Sequence, residues 1–144
     1  MRIPLWQRLQ VKLEVVASVT GPRYDPAMAG DDPRDLWAQG IDLFNSGRFL
    51  NCHEVWEEVW ESAGGPDRLF YQGMIQAAVA ILHVERGNPR GARSTWQKAR
   101  ARLDSFPAEH RGIALGELRE AVDAFVAAAR TDDRSAPPPR IVRL

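Results

Sequence analysis

From Leu69 to Leu82 apolar side chains go almost all the way round a helix: Leu69, Phe70, Tyr71, Met74, Ile75, Ala77, Ala78, Val79, Ala80, Ile81 and Leu82. A helix apolar on every side is expected at the centre of a soluble fold. It is predicted over about 67–86, with Gly87 at its end. Other segments carry apolar residues on one face only. Asp32 and Pro33 open a helix whose face is Leu36, Trp37, Ile41 and Phe44, and Gly47 stops it. A second helix, capped by Asn51, turns Cys52, Val55, Trp56 and Val59 inward and ends near Gly64-Gly65-Pro66. Asn88-Pro89 opens a fourth with Ala92, Trp96, Ala99 and Leu103, closed by Pro107. A fifth, near 114–130, uses Leu115, Leu118, Val122, Phe125 and Val126.

The flanks are different. Residues 3–19 fit a helical face (Leu5, Trp6, Leu9, Leu13, Val16) as well as a strand, and a helix is favoured; 20–32 reads as loop. Three prolines exclude a helix from the last residues. An extended arm is expected there, docking Ile141, Val142 and Leu144. The expected organisation is an N-terminal extension and linker over 1–32, a helical domain over 33–130 and a proline-rich tail over 131–144. No stretch suggests a set of strands.

A shift of 40 residues aligns Gly40 with Ala80, Phe44 with Val84, Gly47 with Gly87, Cys52 with Ala92, Trp56 with Trp96 and Val59 with Ala99. Each half reads as helix, glycine stop, then a helix with small residues flanking a Trp. That is the packing logic of tetratricopeptide-like hairpins, although the period exceeds their usual ~34 residues. The expected fold is therefore all-α: a compact bundle of two such hairpins plus a C-terminal helix.

Nineteen basic and nineteen acidic residues leave no net charge in this 144-residue chain, which argues against a general nucleic-acid or membrane-surface binder. One cysteine, Cys52, excludes an intrachain disulfide and suits a cytoplasmic protein. The N-terminus lacks the uninterrupted apolar stretch of a signal peptide. The apolar run from Met74 to Leu82 is too short to span a bilayer.

Two polar stripes interrupt these apolar patterns. Gln72, Gln76 and His83 lie within roughly 60° of one another around the third helix. On the second, His53, Glu57 and Trp60 recur at the same spacing, beside Glu54, Glu58 and Glu61. Buried polar groups need partners, so the two stripes are expected to meet. His53 and Glu57, at i and i+4, can touch, and a carboxylate there would fix the ring's tautomer and favour its protonation. The ligand-binding candidates are His53, Glu54, Glu57, Trp60, Gln72, Gln76 and His83. Such a set could bind a polar ligand, perform acid–base work, hold a metal, or simply fix helix register. HEVWE is not the HExxH of zincins, and no metal site is assigned. No phosphate loop, nucleophile elbow or dinucleotide fingerprint occurs, so no cofactor is expected. Cys52, Trp56 and Trp96 read as core, and His110 as solvated in a polar loop.

The segments GRFLNCHEVWEEVW (Gly47 to Trp60) and RLFYQGMIQAAVAILHVERGNPRGA (Arg68 to Ala92) resemble a small bacterial and archaeal family, domain of unknown function 309. The resemblance covers roughly residues 35 to 106. It rests on His53, Glu54, Glu57, Trp60, Gln72, Gln76, Gly87, Asn88, Gly91 and Ala92, with Cys52 where a small Ala is more typical. It implies an all-helical fold and brings no activity with it.

The functional expectation is a domain that binds a small polar molecule between the second and third helices. His53 would act as donor or base, Glu57 would orient it, and Gln72, Gln76 and His83 would read the ligand. No catalytic residue or reaction is assigned. The alternative is a helical interaction module for a protein partner or a second copy of the chain, its polar cluster purely structural.

Overall fold

The computed structural model describes residues 32–131, 133 and 135–144. The expected helix over 3–19 and most of the loop after it lie outside these. Among the described residues the order is α1 (Pro33–Asn45), α2 (Phe49–Ser62), α3 (Gly65–Glu85), α4 (Pro89–Leu103), β1 (Glu109–His110), β2 (Ile113–Ala114) and α5 (Leu115–Ala129). The fold is all-α, with one very small sheet.

The α1 helix begins as its sequence demands: the Asp32 carboxylate accepts from the Arg34 amide, with Pro33 in the first turn. It ends in a turn in which the Gly47 amide donates to Phe44 O and the Arg48 amide to Leu43 O. This Schellman pattern needs positive φ, and Gly47 supplies +78°. The same pattern closes α3, where Gly87 donates to Val84 O and Asn88 to His83 O. The echo between Gly47 and Gly87 is thus a repeated turn.

The starts of the following helices differ. Asn88 caps α4 by accepting from the Gly91 amide. Asn51 does not cap α2, which begins at Phe49 after Arg48. The turn delivers the chain straight into helix, and Phe49, buried edge-on to Phe44 at 5.1 Å, anchors it there.

The centre is α3, on which both α2 and α4 pack. From Phe70 to Leu82 every residue except Gln72 is buried, as its unbroken apolar pattern requires. Trp56 is fully buried, and its indole Nε1–H donates to Trp37 O at 3.2 Å. The ring lies so close to α1 that a Cβ on Gly40 would overlap it. Trp96 instead donates to the Asp123 carboxylate on α5, which also pairs with Arg100.

Where no strands were expected, β1 and β2 form an antiparallel hairpin whose tip is Arg111 and Gly112, both at positive φ. His110 is partly buried rather than free in solvent. Its ring lies 4.7 Å from that of Phe70 and 4.9 Å from that of Phe106. The tail returns beside β2: the Ala114 amide donates to Val142 O and the Leu144 amide to Gly112 O. On its other side the Asn45 side-chain amide accepts from Ile141 N–H at 2.7 Å and donates to Ile141 O at 2.9 Å. Of the three expected docking residues only Ile141 is buried; Val142 and Leu144 are exposed. Ile141's neighbours on the tail point outward because side chains alternate along extended backbone.

Candidate functional site

The α2–α3 hairpin is closed by Ala63 and Gly64, so positions similarly far from that link lie at similar heights. At ~1.5 Å per residue, His53 sits about 14 Å back along α2 and Gln76 about 17 Å forward along α3. Both are almost fully buried, at 1% and 2% exposure. Glu57 and Trp60, further along α2, are buried as well. Gln72 is half-buried and Glu54 is exposed, with its carboxyl pushed up by partial burial.

The His53 ring is held by its own helix. Nδ1–H donates to Leu50 O at 2.6 Å; a carbonyl can only accept, so Nδ1 carries the proton and Nε2 keeps its lone pair. Glu57 was expected to favour the imidazolium; the opposite occurs. Burial pushes the His53 pKa down to about 4, the Leu50 bond opposes this, and the positive charge of Arg86 adds to it. The ring is neutral at pH 7. Its Nε2 is buried and bonded to nothing among the described residues, and the same holds for Gln76 Oε1.

His83 has a partner of its own. It is half-buried at the α3–α4 turn, with Nδ1 3.2 Å from the Asn88 amide nitrogen. A Cβ on Gly91 would crowd both groups. Burial, then the charge of Arg86, depresses its pKa. Trp60 is covered by the Arg68 guanidinium, 4.0 Å from the ring centroid. Cys52 is fully buried and its thiol pushed well up, which fits packing rather than reactivity. No group of three or more potential metal-ligating side chains occurs among the described residues.

Arg86 was absent from the sequence expectation, yet its charge reaches both His53 and His83. The signal was available: position 86 continues the stripe of 72, 76 and 83 at i+3. The Leu50 carbonyl had no such signal, because any backbone oxygen three residues back could have served.

Comparison with known proteins finds a family to which part of the chain is similar. Residues 37–95 match a domain of unknown function, DUF309. The DUF309 match takes in most of α1, all of α2 and α3, and the first half of α4, hence His53, Gln76 and His83. An uncharacterised protein of Aquifex aeolicus is 35% identical over 86 residues, which is 59% of this chain and 26% of that protein. The uncharacterised protein YpuF of Bacillus subtilis is 33% identical over 66 residues, 45% of this chain and 36% of its own. The similarity thus spans about a quarter to a third of each curated relative. No helix among the described residues is long and apolar enough to cross a membrane.

Proposed function

We propose that the α2–α3 hairpin binds a small polar molecule that donates hydrogen bonds, with His53 Nε2 as the acceptor that reads it. One observation carries this: a neutral imidazole of fixed tautomer, 1% exposed, keeps a lone pair without a partner among the described residues. A buried polar atom left unbonded costs about 1–3 kcal/mol, which a donor would relieve. Gln76 Oε1 asks for the same kind of partner. The burial of both residues restricts the occupant to a few heavy atoms and requires the helices to part for entry. Binding is favoured over proton abstraction, because a base with a pKa of about 4 is mostly wasted at pH 7.

The closed seam also favours a second reading, in which one internal water serves both acceptors and the bundle, built of tetratricopeptide-like hairpins, is an interaction module. The 15N resonance of His53 Nε2 separates the two. Under the binding reading, ammonium or formamide shifts it saturably, and Gln76→Leu, which removes the second acceptor, weakens the response. If neither probe moves the resonance, small-molecule binding is wrong and the interaction reading stands.

A further inference from the structure

A groove of about 470 Å3 lies away from the seam, where the end of α3, the start of α4, the end of α5 and the returning tail converge. Its volume falls within the roughly 300–1,000 Å3 of small-molecule sites. Val84, Phe125, Ala136 and Pro138 give it apolar walls. Among the described residues, the charged ones lining it are Glu85, Arg130 and Asp133. Asp133 is occupied, accepting from the Ser135 amide and hydroxyl at 2.9 and 2.6 Å. Among the described residues neither Glu85 nor Arg130 makes a side-chain hydrogen bond or salt bridge, although Glu85 feels the charge of its neighbour Arg86. Among the described residues the groove therefore offers the Glu85 carboxylate and the Arg130 guanidinium on a mostly apolar surface.

We propose that this groove binds a zwitterion with an apolar body, such as a free aromatic α-amino acid. Glu85 takes the ammonium, Arg130 the carboxylate, and the side chain lies against Phe125 and Pro138. A guanidinium fork suits a carboxylate because it can donate two parallel hydrogen bonds. The C-termini of α3 and α5 favour an ammonium group here, and the N-terminus of α4, which begins at Pro89 in the same groove, favours a carboxylate. Partial burial holds the Glu85 carboxyl above its usual range against the pull of Arg86, so the acid gains from a cation close at hand.

The full chain is titrated separately with L-phenylalanine, phenethylamine and 3-phenylpropionate, following the Gly87 and Ala129 amide resonances. L-phenylalanine is expected to shift both saturably, and each singly charged analogue to bind about tenfold more weakly, the loss of one charge-assisted contact. Glu85→Gln and Arg130→Gln should each weaken L-phenylalanine to a similar degree while preserving the spectrum. Ala129→Trp, which fills the groove, should abolish the shifts. No saturable response overturns the proposal. So does equal binding of phenethylamine, which would mark a plain cation site, or binding indifferent to both charge variants.

Discussion

His53 on α2 and Gln76 on α3 hold polar atoms closed to solvent, while in the groove Glu85 and Arg130 stand at the edge of open volume. The seam coincides with the DUF309 match, whereas the groove is walled partly by α5 and the tail, beyond residue 95. In one place chemistry is set by desolvation, and in the other by access. A stripe of polar residues on buried helices therefore does not by itself locate a cleft.

The largest test of this contrast is truncation. His53→Ala should lower unfolding free energy by about 2–4 kcal/mol, since it leaves a cavity and removes the hydrogen bond to Leu50 O. Glu85→Gln at the groove should stay within about 0.5 kcal/mol. Urea unfolding of the two variants checks both. Equal losses would mean that the two regions do not differ in the way described.

Acid is expected to act next most strongly, and with opposite signs. The folded pKa of His53 is depressed to about 4, so its stability is complete above the unfolded value of 6.5 and is lost as pH falls towards 4. That loss amounts to about 3 kcal/mol from His53. His83 and His110, also depressed by burial, act in the same direction. Glu85 is raised, so its contribution is present at low pH and is lost as pH rises through its folded pKa. Denaturation midpoints between pH 7 and 4.5 should fall on acidification, following the histidines. In His53→Gln the fall should be markedly shallower.

Asn45→Ala should cost about 1–3 kcal/mol by removing the paired hydrogen bonds to Ile141. Amide exchange should then accelerate at Ile141 and Leu144 while amides of α3 keep their protection, because the tail borders the groove and not the seam. Glu54→Gln should do least. The side chain is exposed, so stability and the His53 resonances should both stay unchanged.

Helix starts were legible where a side chain makes the cap, as at Asp32 and Asn88, and misplaced at Asn51, where backbone geometry alone turns the chain. The hairpin around Arg111 escaped because two-residue strands are too short to show alternation. The apolar centre of α3 and the burial of His53, Glu57, Trp60 and Gln76 could be read from periodicity. The protonation of His53 could not, since it depends on a carbonyl three residues back and on desolvation. The partner of His83 Nδ1 was not legible either, because Asn88, required as a cap, also meets its ring. The groove was invisible because distant segments build its walls.

The contact between Gly40 and Trp56 imposes a reciprocal size rule on the first two helices. A methyl group at position 40 has nowhere to go while an indole occupies position 56. Chains of this design should therefore exchange the two together, gaining bulk on α1 only as α2 surrenders it.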